Sequence, residues 1–329
     1  MKSKTAFITG ATGFTGGYLT RKLLQEKWRV KCLVRPQTGC EELKKLKCEI
    51  ISGDLLNPRS YEQALSGIDV IFHIAAFYRG QADEKTIWKV NYEGTKQLIN
   101  AAVQKGIKKF IHCSTAGVHG EIQDPPADEN APFRPDDAYQ RSKLAAEQYV
   151  YQKIKEKEIT GAIFRPVGIY GPGDRRLLKL FKMANSPVTI IPGNGKCFYH
   201  LTYIDDLIDG ILLLAEKPEA EGQIFIIAGE EYIEIGRLIR FIGAIMGKRS
   251  KFFHIPFRPL FLLATLTEHI GKILHINPIL YRRRLDFFWK DRAFSSEKAK
   301  QILGYQQRFT LEEGLEKTLR WYEEQEWIK

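Results

Sequence analysis

Short apolar runs alternate with amphipathic stretches along the first half of the chain. Runs rich in Val, Ile, Leu, Phe and Ala occupy 5–9, 30–34, 48–52, 70–74, 110–114 and 162–165. Several of them lack a polar face, which suits strands covered by helices on both sides of a sheet. Between them, 14–27, 58–66, 84–105 and 137–157 carry apolar residues at helical spacing. Asn57 before Pro58 reads as an N-cap with proline in the first turn. Repeated strand–helix units predict an α/β chain with a doubly wound parallel sheet. The rhythm changes after Arg165, where "GIYGPGD" and "IPGNGK" form turns. A further strand at 223–227 is expected to rejoin the sheet. Thr310 and Glu313 make a capping box for a closing helix that ends near Glu324. The expected organisation is a sheet domain over 1–165 and a smaller, discontinuous domain built mostly from 166–329.

Three glycines sharpen this picture. Gly10, Gly13 and Gly16 stand in "FITGATGFTGGYLTRKLL", between the first strand and the first helix. Gly10 allows a tight turn, Gly13 a close backbone approach to a pyrophosphate, and Gly16 close helix–strand packing. The helix N-terminus then offers free N–H groups and partial positive charge to phosphates. The sheet is therefore expected to be a Rossmann sheet holding a dinucleotide, although GxxGxxG differs from the GxGxxG of many dehydrogenases. Arg35 follows the second strand in "CLVRP", where NAD-selective sites place an acid on the ribose 2′-OH. An arginine there can pair with the 2′-phosphate, so NADP is slightly favoured over NAD. Asp54 in "SGDLL" can accept from the adenine amino group or cap a turn.

Tyr139 and Lys143 lie four apart in "DDAYQRSKLAAEQ" and share a helix face. A phenol with a reference pKa near 10 exchanges protons poorly at neutral pH, and a neighbouring ammonium stabilises the phenolate. The pair suits acid/base work in a carbonyl–alcohol interconversion. Upstream, "FIHCSTAGVHG" ends a strand with Ser114 and Thr115, hydroxyls able to hold a substrate oxygen.

Composition adds exclusions. The chain has 329 residues, 44% of them hydrophobic, and a formal net charge of +11. Such charge can attract nucleic acid, anionic lipid or phosphorylated ligands. The bases are spread along the chain, Arg282, Arg283 and Arg284 being the densest cluster, and no nucleic-acid motif accompanies them. The partner expected is a small-molecule substrate, with no nucleic acid; peripheral membrane contact and a homodimer stay open. Five cysteines without a CxxC pair argue against a zinc site or a disulfide framework, and no metal is expected. Without a signal peptide or an apolar run long enough to span a membrane, a cytoplasmic location is expected. The stretch 259–284 is apolar and then basic. It reads as a packing helix, a cover for a lipophilic substrate, or a contact with anionic lipid.

"TGATGFTGG", "GDL", "FHIAA", "VNYEGT", "CSTAGVHG", "YQRSK", "RPVGIYGPGD" and "YIDDL" follow one another along the chain. In that order they resemble the extended short-chain dehydrogenase/reductase family, also called the NAD-dependent epimerase/dehydratase family. The resemblance implies an enzyme in which Tyr139 exchanges a proton, Lys143 binds the nicotinamide ribose and acidifies the tyrosine, and Thr115 orients substrate. The cofactor-lining set it implies is Gly10, Thr12, Gly13, Phe14, Thr15, Gly16, Arg35, Asp54, Leu55, Ala75, Ala76, Arg165 and Pro166, with Tyr139 and Lys143. Asn91 matches a family asparagine and reads foremost as a structural hydrogen-bonding residue.

Within the family, sugar-nucleotide epimerases and dehydratases commonly carry Asn where this chain has Gly168. Many carry Arg where it has Tyr199. Both departures point toward the branch resembling dihydroflavonol reductases and 3β-hydroxysteroid dehydrogenases. The expected activity is hydride transfer between NAD(P) and a secondary alcohol or ketone, with reduction the preferred direction. A nucleotide-sugar epimerase or dehydratase is the alternative, and a non-catalytic NAD(P)-binding sensor a remoter one.

Overall fold

The computed structural model describes residues 3–78, 83–274 and 285–328. The cluster Arg282 to Arg284 lies outside the described residues. Seven strands form one fully parallel sheet: β1 (Thr5–Thr9), β2 (Arg29–Val34), β3 (Glu49–Ser52), β4 (Val70–His73), β5 (Lys109–Cys113), β6 (Thr160–Pro166) and β10 (Ile224–Ile227). Their order is β10-β6-β5-β4-β1-β2-β3. The chain winds outward from β1 in one direction and from β4 in the other. The crevice between the carboxyl ends of β1 and β4 is the switch point where such sheets bind ligands.

Strand alternation explains the two apolar layers. Ala6 and Ile8 face one side of the sheet and Phe7 the other, and all three are fully buried. On the first side, Leu19 and Leu23 of α1 (Phe14–Gln25) pack with Leu207, Ile211 and Leu214 of α7 (Ile204–Glu216). On the other, Leu98, Ile99 and Ala102 of α4 (Gly94–Gln104) meet Val150 and Ile154 of α5 (Ala138–Lys155). Each such leucine or isoleucine taken out of water contributes about 1.5–3 kcal/mol.

Two expected helices differ in detail. The stretch expected as one helix over 84–105 contains α3 (Glu84–Trp88), a π-helical turn Lys89–Glu93 and then α4. The expected helix over 58–66 is a pair of 3₁₀ turns, Pro58–Ser60 and Glu62–Leu65, and Asn57 makes no side-chain cap. A short helix α2 (Glu41–Lys45) precedes β3.

The expected return of 223–227 to the sheet is seen in β10, which pairs with β6 in parallel, Ile224 opposite Ile163. Beyond β6 the chain also builds two small sheets. One is β11-β9-β7, from Tyr232–Glu234, Phe198–Tyr203 and Gly168–Tyr170. The other pairs β12 (Lys251–Ile255) with β8 (Val188–Pro192). Helices α6 (Leu178–Ala184), α8 (Ile235–Ile245) and α9 (Phe257–Leu274) complete this part. The closing helix α10 (Leu311–Glu324) starts at the expected capping box: Thr310 Oγ1 accepts from Glu313 N–H, and the Glu313 carboxylate accepts from Thr310 N–H at 2.8 Å.

Buried histidines make stability pH-dependent. Burial, followed by the charge of Lys143, pushes His73 from 6.5 down to about 3, and burial pushes His200 down to about 4. His112 falls well below its ordinary value for the same reasons as His73. Because these folded values are depressed, the unfolded chain takes up protons first as pH drops below about 6.5, and stability is lost from there downward. Asp206, pushed up to about 6 by burial, works in the opposite direction. The three histidines outweigh it, each costing up to about 1.4 kcal/mol per pH unit in that window. Thermal unfolding followed by circular dichroism is expected to show a lower Tm at pH 5 than at pH 7; equal midpoints would contradict this account.

Candidate active site

One cavity of about 2320 Å³ runs across the carboxyl ends of β1 and β4. Ordinary ligand pockets measure about 300–1,000 Å³, so this one has room for a dinucleotide and a second molecule. Its first lobe is the glycine loop. Gly10 has φ +78°, and a Cβ there would stand 2.7 Å from the Ala75 backbone nitrogen. A Cβ on Gly16 would collide with the Gly10 carbonyl oxygen. Gly13 is the N-cap of α1 and has no side-chain cap, and the first turn of α1 holds no acid. An uncapped helix start with bare backbone facing a cavity fits a pyrophosphate.

Thr12, Phe14, Thr15, Asp54, Leu55, Ala75, Ala76 and Pro166 all line the same cavity. Arg35 is exposed at the end of β2, lines the cavity, and has no acidic partner among the described residues. Asp54 spends one oxygen on the local turn, where Oδ1 accepts from Leu56 N–H at 2.8 Å. Arg165 is the exception among the expected cofactor residues. Its buried guanidinium faces away from the cavity and donates to both Glu147 carboxylate oxygens, at 2.9 and 2.6 Å. It also bonds His119 Nε2 and the Glu129 carbonyl, each at 2.9 Å. Its neighbour Pro166 does reach the cavity, because successive strand residues point to opposite faces.

The second lobe holds the acid/base candidates. Asp137 caps α5 by accepting from Gln140 N–H at 2.8 Å, which starts the helix just before Tyr139. One turn on, buried Lys143 donates from Nζ to the Cys113 carbonyl at 2.5 Å. Thr115 caps the 3₁₀ turn Ala116–His119, its Oγ1 accepting from Gly117 N–H at 3.1 Å and keeping its own proton free to donate. Ser114 Oγ beside it is buried without a partner among the described residues. Tyr139, Lys143, Ser114 and Thr115 all line the cavity.

Electrostatics here departs from the sequence reading in one respect. Burial first, then Cys113 and Tyr78, push the Tyr139 phenol above its ordinary range. The positive charge acting against this is Arg176. Lys143, itself pushed below its ordinary value by burial, is held on the Cys113 carbonyl. Arg176 belongs to none of the sequence motifs; it follows the "GPGD" turn, one arginine further on. Its side chain bonds Asp174 Oδ1 and the Ile169 carbonyl, and lies 5.8 Å from the Tyr78 ring. Tyr78 in turn meets Tyr139 edge-on at 4.7 Å.

Gly168 and Tyr199, the two departures from the epimerase pattern, touch one another. A Cβ at Gly168 would stand 2.8 Å from the Tyr199 hydroxyl and 2.9 Å from the His200 carbonyl. An asparagine therefore has no room beside this tyrosine. Tyr199 lines the cavity and packs edge-on against Phe287 at 4.7 Å.

The NAD dependent epimerase/dehydratase family model matches residues 6–228. The chain belongs to this family. Its curated relatives of similar length include the sterol-4-alpha-carboxylate 3-dehydrogenase, decarboxylating, of Schizosaccharomyces pombe, 30% identical over 98% of both chains. The mouse protein of the same description is 27% identical over 97% of this chain and 91% of its own. A 3-beta-hydroxysteroid dehydrogenase of Mycolicibacterium neoaurum is 28% identical over 96% and 90%. Among solved structures, gox2253 superposes with a TM-score of 0.83 at 30% identity, over 99% of this chain and all of that one. A Thermotoga maritima UDP-glucose 4-epimerase gives 0.78 at 22% identity over 98% and 99%, a likeness of fold. The family member described here is accordingly an NAD-dependent type of oxidoreductase with a Rossmann sheet.

Replacing Gly13 by valine is expected to lower dinucleotide affinity at least about tenfold by crowding the pyrophosphate. The fold should survive, since a Cβ at Gly13 meets only the Gly10 carbonyl oxygen, at 3.2 Å. Titration calorimetry checks the affinity and circular dichroism the fold; undiminished affinity would count against this placement.

Proposed function

We propose that this family member is a dehydrogenase interconverting a secondary alcohol and a ketone on a hydrophobic, ring-bearing substrate. The observation that carries the reading is one cavity joining the glycine loop to Thr115, Tyr139 and Lys143. When bound, the nicotinamide supplies the acceptor or donor of a hydride for the carbinol carbon. Thr115 donates to the substrate oxygen and holds it beside Tyr139. Tyr139 takes the hydroxyl proton in oxidation and returns it in reduction. Lys143 binds the ribose, and the charge of Arg176 favours the phenolate.

The relatives' names support the substrate class, being sterol and steroid dehydrogenases. They also favour oxidation over the reduction expected from the sequence. Aromatic side chains at the second lobe, Tyr78, Tyr199 and Phe287, suit a flat apolar ring system. The Gly168–Tyr199 contact weighs against a nucleotide sugar, because the asparagine common in such enzymes does not fit there.

Turnover of hydroxysteroids, other secondary alcohols and nucleotide sugars, followed by nicotinamide absorbance, tests the class. Tyr139→Phe is expected to lose about two to four orders of magnitude in turnover with cofactor affinity nearly intact. Lys143→Met should lose both. An active Tyr139→Phe protein would refute the mechanism, and inversion of a nucleotide sugar without net cofactor turnover would move the protein to the epimerases.

Arg35 supports a preference for NADP through the 2′-phosphate. The expected result is tighter binding of NADP than NAD, with about a tenfold selective loss for NADP in Arg35→Ala, the scale of one charge-assisted contact. Equal affinities in the parent protein would remove the argument.

A further inference from the structure

Helix α9 carries its apolar side chains on the solvent side. Ala264 and Gly271 are buried, whereas Leu262, Leu263, Leu266 and Ile270 are exposed, Leu262 to 70% and Leu266 to 57%. Spacing by four aligns Leu262, Leu266 and Ile270 in one stripe. A surface helix ordinarily presents its polar face to water. The adjoining two-stranded sheet repeats the anomaly: Val188 and Ile190 of β8 and Phe253 and Ile255 of β12 are exposed, with Ile190 opposite Phe253. With Trp289, these account for nine of the twelve exposed large hydrophobic side chains among the described residues. Concentration of this kind marks an interaction surface rather than scattered surface apolarity.

Bases frame the face. Lys248, Arg249, Lys251 and Arg258 are exposed in or beside the same elements and have no acidic partner among the described residues. Arg258 stands one turn before Leu262. A second copy docking symmetrically would bring these bases against their own equivalents, in a chain of net charge +11. An anionic bilayer satisfies the apolar stripe and the bases together. We propose that α9 and the β8–β12 sheet dock on an anionic lipid bilayer, with α9 lying in the interfacial plane. Among the described residues no helix is long and apolar enough to cross a membrane, which agrees with a surface contact.

The face adjoins the second lobe of the cavity. Phe257, at the start of α9, stacks on Trp289 with ring centroids 4.3 Å apart. Phe287 and Phe288, just before Trp289, both line the cavity. A lipid-dissolved substrate would thus meet an aromatic route from the bilayer to Tyr199, a corollary that rests on the proposed reaction. The docking itself needs no substrate, and its test is independent of that reaction.

The test is co-sedimentation of the whole chain, without cofactor or substrate, with two kinds of vesicle: phosphatidylcholine alone, and equal parts phosphatidylcholine and phosphatidylglycerol. Binding is expected to the anionic vesicles, weakened by salt and by omission of phosphatidylglycerol. The double variant Leu262→Glu/Leu266→Glu should bind them about tenfold or more weakly, with unchanged Tm and dinucleotide affinity. A parent protein that stays in the supernatant with both vesicles would overturn the proposal. So would a variant that sediments like the parent. Sedimentation velocity showing a dimer that the variant abolishes, without vesicle binding, would assign the face to a second copy instead.

Discussion

A chain of buried hydrogen bonds ties the end of β1 to the start of α5, and both lobes of the cavity depend on it. Thr9 Oγ1 pairs with His73 Nδ1 at 2.7 Å, and His73 Nε2 with Thr95 Oγ1 at 2.8 Å. Thr95 donates to the Asn91 carbonyl, Asn91 Nδ2 donates to Ser142 Oγ at 3.0 Å, and Ser142 donates to the Tyr139 carbonyl at 2.9 Å. Asn91 also clamps Phe77, accepting from its N–H at 2.6 Å and donating to its carbonyl at 3.1 Å. The glycine loop, the β4 loop and the helix bearing Tyr139 are thereby held in one frame. A buried polar network is stable only when each member is satisfied, and removing any of these groups would leave its neighbour unpaired in a dry interior. The depressed pKa of His73 follows from the same dry interior, where burial first and then the charge of Lys143 disfavour the imidazolium.

Much of the sheet was legible because parallel strands buried on both faces leave continuous apolar runs. The pattern at Thr5–Thr9 matches β1 end for end, and all five residues are buried. The glycine loop was legible for a related reason, since backbone that cannot tolerate a Cβ constrains residue type directly. The π turn at Lys89–Glu93 left no such mark. It adds local winding without special residue types, and its effect, an inward Asn91, emerges only in three dimensions. The second half was obscured by brevity: β7 and β11 have three residues each, too few to show a period.

Side-chain direction and long-range contact account for the remaining differences. Arg165 and Pro166 are neighbours, yet one is locked to Glu147 and the other lines the cavity. Arg176 carries no motif of its own, and only the fold sets it near Tyr78 and within electrostatic reach of Tyr139. The pairing of Gly168 with Tyr199 joins positions far apart along the chain. The sequence showed both departures from the epimerase pattern but not that the bare backbone of Gly168 leaves room for the Tyr199 hydroxyl.

The neighbouring places of β6 and β10 carry a consequence for how this protein can diversify. The chain leaves the large sheet after β6 and re-enters at β10, whose strand lies directly beside it. Gly222 N–H bonds the Gly161 carbonyl at 2.8 Å and Ile163 N–H the Gln223 carbonyl at 3.0 Å, so the return point is pinned. Because the two strands are parallel, the intervening excursion leaves at the carboxyl end of β6, where Pro166 lies opposite Ile227, and returns at the amino end of β10, where Ile224 lies opposite Ile163, coming back by way of α7. Lengthening such a loop adds little closure entropy, about 0.6 kcal/mol per doubling. Its walls can therefore be rebuilt over evolutionary time while the dinucleotide scaffold keeps its register, which lets one inherited frame serve a succession of substrates.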